Sequence, residues 1–241
     1  MPEVRPGDDL AALIAAACPP DLADGDVLVV ASKAVSKAEG RVVELASVTP
    51  GQEALRLAEQ APGGRDPRLV QLVLDEAAEV VRAERGVLIV ETHHGFVCAN
   101  AGIDLSNVPG EDAALLLPQD PDASARALRA GLEAARGVRP AVLVTDSFGR
   151  AWRMGQVDVA IGAAGLVTVD DWRGRSDAHG RELRATVAAV GDAVAGAADL
   201  ARSKDASEPV VLVRGLARFV TPGDGPGAAE LRRPRPDDLF R

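Results

Sequence analysis

Short apolar runs bounded by Gly, Pro and Asp alternate along this chain with longer stretches in which apolar residues recur at helical spacing. Asp26-Val-Leu-Val-Val-Ala31 is a β-branched run of the kind that forms a buried strand, and residues 41–45 form a second. Residues 86–91 and 96–100 read as two strands of a hairpin joined through Thr92-His-His-Gly95. Ala141-Val-Leu-Val-Thr145 is predicted as a strand that delivers Asp146 at its C-terminal end, a functional position in many α/β sheets. Residues 158–161 and 166–169 read as strands around Gly162-Ala-Ala-Gly165, and 209–213 as the last. Helix signals are an Asp8 or Asp9 cap before an Ala-rich run ending at Pro19-Pro20, Thr49 with Pro50 in the first helical position, Asp66-Pro67, and Asp120-Pro121. A long Ala-rich helix is expected from Gly180 to about Arg202. This irregular order predicts a mixed α/β (α+β) fold rather than a doubly wound sheet. The Pro- and Gly-rich composition of 221–236 divides the chain into a domain, 1–220, and a C-terminal linker or arm, 221–241.

At 241 residues and 47% hydrophobic the chain can bury a full core. Its formal net charge of -9 leaves no basic field for a polyanionic backbone, so nucleic acid is not an expected partner. Cys18 and Cys98 lie far apart without CxxC spacing, which indicates buried thiols rather than a disulfide framework or a zinc site. No apolar run approaches the roughly 18 residues of a membrane helix. The start, MPEVRPGDDL, lacks a signal-peptide pattern, so no membrane association and a cytoplasmic location are expected.

P-loop, GxGxxG, kinase and GxSxG signatures are absent. Acidic and small polar residues instead sit on loops after strands, a composition suited to hard cations and phosphates. Asp104 with Asn107, and Asp146 with Ser147, can supply oxygen ligands to Mg²⁺ or Mn²⁺; each also reads as a turn or capping residue. Ser32-Lys33 and Ser36-Lys37 follow a strand, as phosphate contacts or as a solvated basic turn. His93 and His94 are neighbours whose side chains diverge, which suits hairpin residues better than ligands of one metal, and His179 reads as structural. Trp152 and Trp172 suit core or subunit-interface packing, or stacking on an aromatic ligand. Arg150, Arg153 and Gln156 are candidates for phosphate or carboxylate contacts on charge and location alone.

Six segments together carry a more specific signal. Pro6-Gly-Asp-Asp-Leu10, the stretch 25–40, His94 through Pro109 with Asn-Ala-Gly-Ile-Asp-Leu-Ser-Asn-Val-Pro, Thr145-Asp-Ser-Phe-Gly-Arg-Ala-Trp-Arg-Met-Gly-Gln156, Gly180-Arg-Glu-Leu183 and Val213-Arg-Gly-Leu216 resemble the coenzyme F420-0:gamma-glutamyl ligases, in order and over nearly the whole chain. The resemblance implies an intertwined dimer and a GTP-dependent amide-forming reaction between coenzyme F420-0 and L-glutamate. Mg²⁺ or Mn²⁺, and often K⁺, would take part. Carried over by position, Asp104 and Asp146 match first-metal carboxylates, with Arg153 added as a catalytic candidate, and Ser147 matches a second-metal ligand. Pro2, Glu3, Val4, Ser32, Lys33, Lys37 and Asn107 match nucleotide contacts. Ser203, in the segment 201–208, falls where relatives place a Gln or Glu that helps hold the second metal. Members of the family usually begin earlier, with a strand, whereas this chain starts inside the following loop. Residues 223–240 resemble the linker of a two-domain version that continues into a flavin-binding reductase, which suggests a separate flavin-dependent reductase as a partner. The alternatives are a catalytically impaired ligase-like module that docks on such a reductase, and a ligase acting on a different carboxylate acceptor.

Overall fold

The computed structural model describes residues 1–106, 112–203 and 208–240. In chain order they form α1 Leu10–Ala17, β1 Val27–Ala31, α2 Ser32–Ala38, β2 Val42–Glu44, α3 Gln52–Gln60, α4 Pro67–Asp75, β3 Ala77–Glu84, β4 Val87–Thr92, β5 Val97–Ala99 and β6 Ala113–Leu115. There follow α5 Pro121–Arg136, β7 Ala141–Arg150, β8 Arg153–Ala164, β9 Val169–Asp171, β10 Val187–Ala189, α6 Val190–Ala201 and β11 Val210–Val213. The fold is mixed α/β, as the sequence pattern predicts.

The two apolar runs become neighbours at the centre of the main sheet, whose strand order is β11-β1-β7-β8. β1 and β7 pair in parallel from Val27↔Ala141 to Ala31↔Thr145, and the outer strands run antiparallel to them. Both central strands are covered on two sides, which is why they read as continuous apolar runs rather than alternating ones. Leu28, Val30, Val142, Val144 and Ile161 face α1 and α5 through Ile14, Leu128 and Leu132. Val27, Val29, Leu143, Ala160 and Ala163 face α6 through Val194, Ala195 and Ala198. A second sheet, β3-β4-β5, packs its Leu88 and Val90 against Ala54 and Ala58 of α3 and Val70 and Val73 of α4.

Capping follows the sequence closely. The Asp9, Asp66 and Asp120 side chains accept from the backbone N–H groups of Ala12, Arg68 and Ala123, at the starts of α1, α4 and α5. α3 begins at Gln52 behind Gly51, two residues later than the Pro50 signal suggests. The expected long helix from Gly180 is not formed: α6 starts only at Val190. The Asp177 carboxylate accepts from the backbone N–H groups of His179 and Arg181, Gly180 takes a φ of +77°, and Val187 to Ala189 pair with β9. Local turn chemistry and β pairing there outweigh the Ala-rich propensity downstream. β7 also does not stop at Thr145, and β8 runs through Gly162 to Ala164, because the two form one long antiparallel ladder. β3 carries no strand signal in its sequence, AAEVVRAE; pairing with β4 holds it. Residues 32–38, a turn by composition, form α2.

Two close contacts fix α5 on the sheet. The ladder shifts register between Val144 and Thr145, which leaves Ile161 as the extra residue of a bulge. Next to it, a Cβ on Gly162 would lie 2.2 Å from the Pro121 carbonyl oxygen, so the first turn of α5 rests directly on the strand backbone. Farther along α5, Arg129 is 1% exposed and donates to the carbonyls of Pro140, Thr221 and Gly223 and to Asp224 Oδ1 at 2.6–3.0 Å. That guanidinium binds residues 221–224 to the body of the fold.

Gly162→Ala is expected to cost about 2–3 kcal/mol of stability, because backbone rather than a flexible side chain occupies the space. Gly223→Ala, with nothing within 4 Å of its new Cβ, serves as the neutral control. Urea unfolding of both variants checks this, and equal midpoints would show that the contact between α5 and β8 is loose.

Candidate functional site

β1 and β7 emerge from the core at the same edge. After their last pair, Ala31↔Thr145, Ser32 opens α2 and Asp146 continues β7. Ser32 Oγ donates to Asp146 Oδ1 at 2.5 Å. Lys33 Nζ forms an ion pair with Asp104 and donates to Ser106 Oγ at 3.0 Å. Asp104 is fixed at its backbone by reciprocal hydrogen bonds with Leu115 of β6, and its carboxylate accepts from the Ser106 N–H at 2.6 Å. Residues from three separate segments thus form one polar cluster. One turn farther along α2, Lys37 Nζ lies 3.6 Å from Glu3 Oε1, and Val4 is buried in the main core beside them. Pro2 is exposed.

The two carboxyls of the cluster are shifted in opposite directions. Burial alone would raise Asp104, but the Lys33 ammonium and the Ser106 backbone and hydroxyl donors outweigh it and keep the group below its usual range. Asp146 is pushed up to about 7, first by burial and then by the charges of Asp158 and Asp104; the Ser32 hydrogen bond and the Lys33 charge act against the shift without cancelling it. Cys98, on adjacent β5, is pushed up to about 12 by burial and by Asp146, whereas Cys18 is only half-buried.

Ser147 points to the other face of the sheet, as the two-residue period of a strand requires. Its Oγ donates to Asp158 Oδ1 at 2.6 Å, and Thr145 Oγ1 donates to Asp158 Oδ2 at 2.9 Å. Arg202 completes the arrangement, donating to Asp158 Oδ2 at 2.8 Å and to the Val29 carbonyl at 2.7 Å. Asp146 and Ser147 therefore do not share one ligand position. Sequence reasoning missed Asp158 and Arg202. The available signal was an acidic residue inside a strand run, where Asp is depleted, since a buried Asp is almost always paired.

Other candidates lie elsewhere. Arg150, Arg153 and Gln156 are on the exposed end of the β7–β8 hairpin, where Arg150 Nη2 donates to the Met154 carbonyl. Arg153 is six residues beyond Val159, the partner of Asp146, or roughly 20 Å along the strand. Within one chain it does not meet the cluster. Asn107 falls outside the described residues, as do Lys204 and Asp205; Ser203 directly follows Arg202 and is exposed. His93 and His94 diverge as expected, to the carbonyls of Asp75 and Pro118. Neither Trp is a core residue: Trp152 is 81% exposed with its ring 5.0 Å from Phe240, and Trp172 Nε1 donates to Asp170.

Among the described residues no group of three or more His, Cys, Asp or Glu gathers in a way that could hold a metal ion. Asp104 and Asp146 with nearby hydroxyls form a sparser donor set. It suits Mg²⁺ or Mn²⁺, which take one or two carboxylates and complete their shells with phosphate oxygens and water. The arrangement therefore fits a cation that arrives with a phosphorylated substrate.

A family model described as F420-0:Gamma-glutamyl ligase matches residues 1–215. The chain belongs to this family. It is similar to a coenzyme F420:L-glutamate ligase of Methanothermobacter thermautotrophicus, 44% identical over 245 residues that cover 100% of this chain and 96% of that protein. Proteins of the same name from Methanopyrus kandleri and Haloarcula marismortui are 45% and 46% identical, over 99% and 100% of this chain and 94% and 93% of theirs. As a member of the F420-0:gamma-glutamyl ligases the chain is an enzyme of the ligase class, and every residue of the Ser32–Asp146–Lys33–Asp104 cluster lies within the matched range. No helix among the described residues is long and apolar enough to cross a membrane.

Moving a carboxyl from its ordinary range to about 7 makes its ionised form unfavourable in the fold by on the order of 4 kcal/mol. Below about pH 4 the group is neutral in both folded and unfolded chains and nothing is lost; the penalty grows as pH rises to 7 and is complete above it. Asp146→Asn, neutral and of the same shape, is therefore expected to be more stable than the parent chain in excess chelator at pH 8, and equal to it near pH 4. Denaturant titrations across that range check this, and a stability difference independent of pH would refute the assignment.

Proposed function

We propose that this ligase joins L-glutamate by an amide bond to the terminal carboxylate of coenzyme F420-0, using GTP and Mg²⁺ or Mn²⁺, with K⁺ as an accessory ion. The observation that carries the reading is the cluster in which Ser32 and Lys33 of α2 meet Asp146 and Asp104 at the mouth of the parallel strand pair. It combines hydroxyls, an ammonium and two carboxylates, the groups that bind a metal-complexed triphosphate.

The chemistry explains why such a site is needed. A carboxylate does not react with an amine at neutral pH, because oxide is a poor leaving group. The acceptor carboxylate oxygen therefore takes the γ-phosphoryl group of GTP, GDP leaves, and the amine attacks the acyl phosphate carbon with loss of phosphate. Glutamate sheds the ammonium protons to solvent and phosphate. A bound divalent cation supplies neutralisation of the phosphate charge. The chain's own residues align the reactants: Lys33 and Lys37, one turn apart on α2, present two point charges to phosphate oxygens, and Asp104 and Asp146 hold the cation's protein side. Ser147, oriented by Asp158, offers a further oxygen from the opposite face. Pro2, Glu3, Val4, Asn107 and Ser203 belong to the proposed nucleotide contacts. Further γ-linked glutamates can be added by the same cycle, because each product again ends in a carboxylate.

A homodimer is part of the proposal. β3 is largely exposed, and the tip of the β7–β8 hairpin carries Trp152 and Met154 at 81% and 94% exposure, which suits contact with a second copy. Such a contact would also give Arg153 a partner site to reach.

The test is product mass after incubation of the chain with F420-0, L-glutamate, GTP and Mn²⁺. A gain of one or more glutamyl units is expected, reduced at least about a hundredfold in Asp146→Ala and Asp104→Ala. A folded chain that binds GTP and Mn²⁺ yet yields no glutamylated product would overturn the reading.

A further inference from the structure

We propose that a polar cavity of about 370 Å³, on the same sheet face as the Asp146 carboxylate, binds the amino-dicarboxylate co-substrate, L-glutamate. The assignment rests on the proposed ligase reaction for its ligand and on the following geometry for its place. The cavity is enclosed by the β4–β5 turn, the first turn of α5 and residues 229–232, with the bulged Ile161 at its base. Its Phe96 wall packs edge-on against Phe148 at 6.2 Å between ring centroids. Phe148 lies two residues beyond Asp146 on β7, hence on the same face and about 7 Å along the strand. The cavity and the Asp146 cluster thus share one face of the sheet, with the Phe96–Phe148 pair between them.

The charges of the cavity select the ligand class. Among the described residues, Arg126 comes no nearer than 4.0 Å to Asp120 Oδ2, and Arg232 makes only a long 3.4 Å hydrogen bond to the Ala229 carbonyl while lying over the Phe96 ring. Both guanidiniums therefore retain donors for carboxylates. The N-terminus of the 16-residue α5 adds partial positive charge beside them. His94 Nε2 faces the Pro118 carbonyl at 2.9 Å, so that nitrogen carries the proton; Nδ1 is left as a buried acceptor with no partner among the described residues. Asp120 caps Ala123 through Oδ1 and keeps Oδ2 available, whereas Asp122 is occupied by the backbone N–H groups of Ala163 and Ala228. Two cationic forks and a carboxylate oxygen complement a molecule with two carboxylates and one ammonium. A triphosphate, all anion, would confront Asp120 and Asp122. Gly95, at φ +85°, leaves the space that Arg232 fills: a Cβ there would be 3.2 Å from Arg232 Nη1. Ala229 and Arg232 lie beyond residue 215, where the family model ends, so the C-terminal segment contributes a binding wall.

Calorimetric titration of the full chain with L-glutamate, in the presence of Mn²⁺ and a non-hydrolysable GTP analogue, tests this directly. L-Glutamate is expected to bind the parent chain, to bind Arg232→Ala and Arg126→Ala at least about tenfold more weakly, and to recover in part in Arg232→Lys. Affinity for the GTP analogue and the melting temperature should be unchanged, and glutarate, which lacks the amine, should bind more weakly than glutamate. Wild-type affinity for glutamate in both Arg→Ala variants, or no binding to the parent chain, overturns the assignment. The titration requires no turnover, so the two proposals fail separately. Glutamate binding that depends on Arg232 in a chain without ligase activity would remove the proposed reaction alone. Ligation with an unchanged KM for glutamate in both variants would remove the cavity alone.

Discussion

The parallel pairing of Val27–Ala31 with Ala141–Thr145 is the constraint from which the site follows. Both strands are buried on two faces and so carry apolar side chains from Val27 to Ala31 and from Ala141 to Val144. Polar chemistry can begin only where they leave the core, and parallel strands leave it at the same edge. At that edge one chain turns into α2 and the other continues, which brings Ser32 against Asp146. The remaining elements keep this edge in place: α6 covers one face, α1 and α5 the other, and Gly162 lets α5 approach β8 without a side chain between them.

The electrostatics of the cluster divide its two carboxyls. Lys33 neutralises Asp104 by direct contact and reaches Asp146 only through space, so the more buried of the two bears the desolvation cost. On the opposite face, Asp158 is buried and is satisfied by two hydroxyls and Arg202. The two aspartates, on opposite faces of the sheet, thus meet different surroundings. The difference is the number of donors each meets.

Much of this was legible in the sequence. Buried strands, the Asp9, Asp66 and Asp120 caps and the emergence of Asp146 follow from local pattern, and the segments resembling the ligase family singled out Ser32, Lys33 and Asp104 before the structure joined them. What was not legible depends on contacts distant in sequence. Asp158 reads as an ordinary strand residue until the β7–β8 register sets it opposite Ser147. Arg129 reads as one more helix arginine until residues 221–224 bring it their carbonyls. The late start of α6 was hidden because the Asp177 turn and the β9–β10 pairing act against an Ala-rich propensity that favours an earlier start. Arg153 was chosen on charge, and charge alone does not say how far a hairpin extends.

Asp122 links the fold to the cavity beside the site. Its single Oδ1 accepts from Ala163 on β8 and from Ala228 in the C-terminal segment, and a Cβ on Gly227 would fall 2.4 Å from the Asp122 side chain. Arg129, two turns along the same helix, holds residues 221–224. One helix thus sets the position of the bulged strand below the cavity and of the segment that closes it. Walls that are referred to one rigid element keep their spacing when side chains move. Residues 221–232, linker-like in composition, are held to the body of the fold through α5.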